Sequence, residues 1–482
     1  MLFNSFEFIL FLPIVFLLYW FVFRERRWQN FFVVLASYVF YGWWDWRFLL
    51  LIALTSLCSY FSGVLLESTE GNRFRQKLIS GANIVINLLI LGVFKYYNFF
   101  VENIAALFHS LGYELDWATM NVILPVGISF YTFQALSYTI DVYRKNIRAT
   151  YDPVEFFAYI SFFPQLVAGP IERATNLLPQ FQKSRIFDYS KAVDGCRQML
   201  WGFFKKIVVA DNCAMIVNKY WDIYADQSGA QLLVVGILFS FQIYCDFSGY
   251  SDIAIGCARL FGFNLKRNFN FPYFSRNISE FWRRWHMSLM TWFRDYIYFP
   301  LGGSRCSQYK AIRNTMIVFF VSGLWHGANW TFVAWGMYHA CLIAAFTLLG
   351  LNVKYKNNPA EGRLLPNLKE FFQMLSTFLL AVIGWILFRA ESIGQAIDYF
   401  LHMFSRSLFS LSGVDGKKKL LWCLLVLIVE WLQRNKQHAL QISGNKILST
   451  SVARICFYVL LSFVILYFFC THDKSDFIYF QF

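Results

Sequence analysis

Apolar runs of about twenty residues recur along the whole chain, each bounded by a short polar loop. Coiled as a helix, a run of that length matches the hydrocarbon core of a bilayer, about 30 Å thick. Inside hydrocarbon every backbone N–H and C=O must be satisfied within the protein, so a chain of such runs has to fold as helices. The runs fall at residues 2–23, 28–44, 46–66, 78–100, 124–140, 195–220, 231–250, 312–325, 332–349, 371–388, 420–432 and 452–470. They predict an all-α, polytopic membrane protein of about 10–12 transmembrane helices, built as one integral membrane domain over residues 1–482. Residues 156–169 are apolar but short, and are interrupted by Pro164 and Gly169 with Pro170 following. That pattern reads as a re-entrant piece rather than a span.

Composition and charge agree with this reading. The chain is 57% apolar and 15% charged, against about 45–50% and about 25% for a soluble domain. The net charge of +14 sits in short loops. These hold Arg24, Arg26 and Arg27, then Arg73, Arg75 and Lys77, then Arg144, Lys145 and Arg148, and later Lys266, Arg267 and Arg276. Basic loops face the cytoplasm, which puts the N-terminus outside. Lys417, Lys418 and Lys419 fall on the side that this alternation assigns to the exterior and conflict with it. With no basic tail or long basic helix, the charge marks a membrane rim, and a nucleic-acid partner is excluded. The first run lacks a basic leader and a small-residue cleavage site, so it reads as a retained span. Ten cysteines are scattered without a C-x-x-C pair, as expected for free thiols and no metal site.

Against this background residues 281–330 stand apart, because they place His286, His326, several arginines and several tryptophans among apolar segments. Ionisable groups in hydrocarbon cost several kcal/mol unless partnered, and so mark functional sites. His326 follows an apolar helix and precedes Gly327, which permits close backbone approach or a helix end. A neutral imidazole can take a proton from a hydroxyl near neutral pH. It can equally serve as a donor to a carbonyl on a neighbouring helix, and the residues alone leave both readings open. Upstream, Asn277 and Glu280 have the spacing of a capping box. They predict a helix that carries Trp282, Trp285, His286, Leu289 and Phe293 on one face. Arg283 and Arg284 would either hold an anionic donor or anchor that helix at the headgroups. Asp246 and Asp252, in QIYCDFSGYSDIAIG (242–256), would orient a histidine, pair with Arg267 or Arg284, or cap a helix. His339 is open to a supporting role or to core packing.

Five blocks carry a family likeness: QLVAGPIER (165–173), YCDFSGYSDIAIG (244–256), NFNFPYFSRNISEFWRRWHMSLMTWFRDYIYFPLGG (268–303), GLWHGANWTFVAWGMYH (323–339) and FIYFQF (477–482). In this order they resemble the membrane-bound O-acyltransferase family, and within it the bacterial alginate O-acetylation branch. The resemblance implies a ring of helices around a thinned centre, with a tunnel joining the two faces, in a bacterial cytoplasmic membrane. It implies that His326, in the W-H-G motif, is catalytic and that His286, in R-R-W-H, is the second functional residue, orienting the donor or stabilising the oxyanion. Trp282, Trp285, Arg283, Arg284, Asp246, Asp252, Trp325 and Asn329 are the accompanying candidates for donor or substrate binding. The family likeness further implies acetyl-CoA as donor substrate with no bound cofactor, membrane lipid as surroundings, and an extracytoplasmic SGNH-type acetyltransferase as partner. Peptidoglycan or cellulose acetylation, D-alanylation of teichoic acid, long-chain acyl transfer to a phospholipid, and a non-catalytic scaffold or transporter are the other readings.

Overall fold

The computed structural model describes residues 1–114, 119, 124–167, 169–410, 413–441, 450–472 and 475–480. Among them every regular element is helical. Among the described residues six helices are long and apolar enough to cross a membrane: Trp46–Ser68, Arg73–Ser110, Gly229–Leu260, Trp330–Leu348, Leu368–Arg389 and Ser451–Thr471. Phe6–Val22 is a shorter apolar helix. The chain is an all-α, polytopic membrane protein. On the Ser451–Thr471 helix, Val452, Ile455, Val459, Phe463 and Leu466 all lie more than half exposed. So many outward apolar side chains are stable only against lipid.

The described chain divides into two compact units, residues 1–193 with 257–266, and residues 194–256 with 267–482. In the first, a polar seam joins three helices within an otherwise apolar packing. Asn83 donates to Ser59 (3.4 Å) and accepts from Thr139 (3.0 Å) and Asn87 (3.1 Å). Such bonds hold helices together where burial of apolar surface supplies no drive. The piece expected to be re-entrant forms two short helices, Pro153–Ser161 and Phe163–Leu166. Asp152 caps the first, with Pro153 in its first turn; Phe162 departs from helical geometry between the two, and Pro164 lies in the first turn of the second. Neither is long enough to span.

The Tyr189–Phe203 helix, whose residues from 194 onward belong to the second unit, widens into a π-helical stretch, Phe204–Ala210, before continuing as Asp211–Trp221. The widening delivers two consecutive lysines, Lys205 and Lys206, into the interior, where both are buried. The helices Gln308–His326 and Trp330–Leu348 form a tight hairpin. A Cβ at Gly323 would strike the Phe332 carbonyl, and one at Gly336 would strike the Phe319 carbonyl, so these glycines set how closely the two backbones approach.

One expectation is corrected here. The single helix meant to carry Trp282, Trp285, His286, Leu289 and Phe293 on one face is two seven-residue helices, Ile278–Arg284 and Met287–Phe293. Between them Trp285 is extended and His286 takes a left-handed backbone, φ +43°. The cause is an extended segment alongside. The Asn270 N–H donates to the Arg284 carbonyl (2.9 Å), and the Met287 N–H donates to the Asn268 carbonyl (2.8 Å). The groups a continuous helix would have used are therefore taken. Asn277 does cap the first helix, accepting from the Glu280 N–H at 2.8 Å. The Glu280 carboxylate turns to the N–H and guanidinium of Arg276.

Candidate active site

His326 is the last residue of its helix, at the turn of the hairpin. Gly327 beyond it is extended, and Asn329 caps the returning helix by accepting from the Thr331 N–H (3.0 Å). The Asn329 amide donates to the Glu391 carbonyl (2.8 Å), so this residue fastens the turn. A side chain at Gly327 would run into the Phe332 ring. His326 is 3% exposed, inside a cage of Trp325 (4.9 Å between ring centres), Trp335 (4.9 Å), Phe388 (5.3 Å) and Tyr479 (5.6 Å).

His286 is 1% exposed and meets Phe247 edge to face at 4.6 Å. Its Nδ1 faces the side-chain oxygen of Asn268 at 3.1 Å. It lies on none of the six spanning helices, and burial pushes its pKa down to about 3, so the ring is neutral at physiological pH. Two of the four rings that cage His326 also meet His286, Trp325 at 5.8 Å and Tyr479 at 6.5 Å. Two histidines far apart in sequence thus converge on one pair of aromatic rings.

Tyr479 comes from the C-terminal tail, which a buried ion cluster straps down. Lys206 pairs with Asp246 (2.8 Å) and Asp211 (2.9 Å) and donates to the Ser475 carbonyl (3.0 Å). Asp246 accepts from the Ile478 N–H at 2.7 Å, and the Ser475 hydroxyl bonds Asp211. Phe477 packs on Tyr250 at 4.3 Å and Tyr479 on Phe247 at 4.5 Å. A parallel cluster holds Lys205 against Asp252 (2.7 Å), Ser248 (2.8 Å) and Glu430 (3.9 Å).

The other expected residues take varied places. Asp246 and Asp252 pair with these lysines rather than with Arg267, Arg284 or a histidine, and Asp252 lies inside the Gly229–Leu260 helix rather than capping one. Arg284 is committed to Glu280 (2.8 Å) and the Asn358 amide oxygen (3.0 Å), while Arg283 is exposed. Trp282 packs on His339 (4.9 Å) and Phe319 (5.2 Å), and Trp285 on Trp385 (4.6 Å) and Phe269 (5.1 Å). Both support the site within its aromatic packing. His339 stands one layer behind His326, with Trp335 between them at 5.3 Å and 4.9 Å. Asn268, Tyr479, Lys205, Lys206 and Glu430 are components that sequence reasoning did not single out. The paired lysines were detectable, as charges inside an apolar run; Asn268 and Tyr479 carry no such signal.

A neutral, buried imidazole beside a second one, both walled by aromatic rings, can move a proton to and from a hydroxyl while water is excluded. The chain belongs to the membrane-bound O-acyltransferase family, whose model matches residues 38–383. It is therefore a membrane acyltransferase. A probable alginate O-acetylase AlgI of Pseudomonas aeruginosa is 41% identical over 419 residues, covering 86% of this chain and 77% of that one. The corresponding protein of Azotobacter vinelandii is 38% identical, covering 86% and 80%. A peptidoglycan O-acetyltransferase of Helicobacter pylori is 30% identical and covers 100% of this chain and 98% of its own.

Proposed function

We propose that this enzyme transfers acetyl groups from cytoplasmic acetyl-CoA across the bacterial inner membrane for O-acetylation of an exported polysaccharide, alginate in the first reading. His326 acts as general base. It takes the proton of an incoming hydroxyl, whose oxygen attacks the thioester carbonyl; the C–S bond breaks, and the thiolate leaves with the proton returned by His326. His286 orients the donor. Arg283, exposed on the short helix that leads to His286, is available to the donor's phosphates, whereas Arg284 is already engaged. An extracytoplasmic SGNH-type acetyltransferase receives the acetyl group, and the N-terminus faces outward. The observation that carries this reading is the convergence of His286 and His326 on Trp325 and Tyr479. The likeness to proteins named as alginate O-acetylases supports the choice of polymer.

The test is acetyl transfer by purified protein in liposomes supplied with labelled acetyl-CoA. Turnover is expected in the unaltered protein and a fall of about 10²–10⁴-fold in His326→Ala. Equal turnover in the two would contradict the assignment. A second reading, with peptidoglycan as acceptor, is favoured by the end-to-end match to the H. pylori enzyme. Acetate released by mild base from secreted polysaccharide and from isolated peptidoglycan decides between the two. A reporter fused ahead of Met1, of a kind active only outside the cytoplasm, tests the orientation.

A further inference from the structure

We propose that Asn268 is a positioning residue that fixes His286 as a hydrogen-bond acceptor at Nε2, so that this histidine orients an N–H or O–H group of a reactant and does not donate to the oxyanion. What the reactant is rests on the acetyl-transfer reading above. The tautomer rests on geometry.

The side-chain oxygen of Asn268 accepts from the Ser288 backbone N–H (3.3 Å) and from the Ser288 hydroxyl (2.9 Å). A backbone amide only donates, so the Asn268 atom facing it is the carbonyl oxygen and not the amide nitrogen. The nitrogen points the other way and donates to the Ser251 hydroxyl (3.2 Å), on the Gly229–Leu260 helix. The amide is thereby held at both ends against flipping. His286 Nδ1 meets that same oxygen at 3.1 Å. Two acceptors cannot share a hydrogen bond, so Nδ1 carries the proton and, in a neutral ring, Nε2 carries the lone pair.

The backbone of Asn268 works in the same direction. Its carbonyl accepts from the Met287 N–H (2.8 Å), which helps hold His286 in its left-handed conformation between the two short helices. One residue therefore sets both the position and the proton of the ring. Among the ionisable groups nearby, Tyr479 on the tail and His326 across Trp325 share rings with His286, and Asp246 and Asp252 lie on the Gly229–Leu260 helix. Those two carboxylates are engaged by Lys206 and Lys205. Burial keeps the imidazole neutral. An oxyanion needs donors aimed at it, and a neutral ring with its proton committed to Asn268 offers none at Nε2.

The experiment is solid-state ¹⁵N NMR of the full chain in bilayers, with histidine labelled and the His286 signals assigned by their loss in His286→Asn. At pH 7 the expected spectrum has a protonated Nδ1 and an unprotonated Nε2. Asn268→Ala is expected to mix or invert the tautomers and to slow acetyl transfer about ten- to a hundredfold. Asn268→Asp keeps an acceptor oxygen and is expected to restore both the tautomer and most of the rate. A native ring protonated at Nε2 would overturn the proposal, as would Asn268→Ala with unchanged tautomer and rate. Should the alanine variant fail to accumulate, the spectrum of the unaltered protein and the aspartate variant still decide. If His326→Ala transfers normally while the tautomer is as stated, the reading of the reaction fails and the positioning stands.

Discussion

At His286 a side chain bearing a Cβ sits at φ +43°, a region costly to most residues and best tolerated, after glycine, by asparagine and aspartate. Backbone and chemistry are separable there. His286→Asn is expected to reach native levels in the membrane while acetyl transfer drops about ten- to a hundredfold, because the amide fits the backbone but does not carry an acceptor to the place of the imidazole Nε2. His286→Val removes the same chemistry and adds a β-branched residue to a left-handed position, so it is expected to accumulate less. Immunoblots of membranes alongside transfer assays check both. Equal accumulation of the two variants would mean that the short-helix break is not held as described.

Among the elements, the short helix that leads to the break at His286 is fastened by a buried charge cluster. Glu280 bonds Arg276 (3.0 Å) and Arg284 (2.8 Å), and all three side chains are less than a tenth exposed. Removing the shared carboxylate leaves the Arg284 guanidinium buried without its counter-charge and leaves Arg276 only the longer pair with Glu370 (3.7 Å). Glu280→Gln is therefore expected to destabilise the protein by about 3 kcal/mol, read as a lower unfolding temperature in detergent. Burial works to raise the Glu280 carboxyl, but the Arg276 hydrogen bond and the Arg284 charge outweigh it and hold it below its ordinary value of 4.5. A depressed carboxylate contributes stability that is full above 4.5 and lost as pH falls through the folded value. The unfolding temperature of the native protein is thus expected to drop in acid below that point, and that of Glu280→Gln to drop less. The hairpin gives a second check. Gly336→Val meets the Phe319 carbonyl and is expected to separate the two helices, with loss of transfer and of membrane level together.

For the whole molecule, sequence periodicity located the helices well, because bilayer thickness and backbone satisfaction leave a chain of apolar runs few alternatives. His286 and His326 were legible for the same reason, as ionisable groups in apolar surroundings. Three features were not. The π-helical turn that buries Lys205 and Lys206 adds residues to a turn without altering the apolar pattern. The break at His286 comes from Asn268 and Asn270, which take hydrogen bonds by tertiary contact, and so local capping rules missed it. Tyr479 reaches the histidines on a tail that Lys206, Asp246 and Asp211 help to hold by tertiary contact. Lys206→Met is expected to release that tail, read as faster proteolytic loss of a C-terminal tag. The central claim, that His326 performs the transfer, is tested most directly by polysaccharide acetate in cells lacking the native protein and complemented with wild type or His326→Ala at matched membrane levels. Loss of acetate with the alanine variant is the expected result. Retained acetate would contradict it and reduce His326 to a packing residue within its aromatic cage.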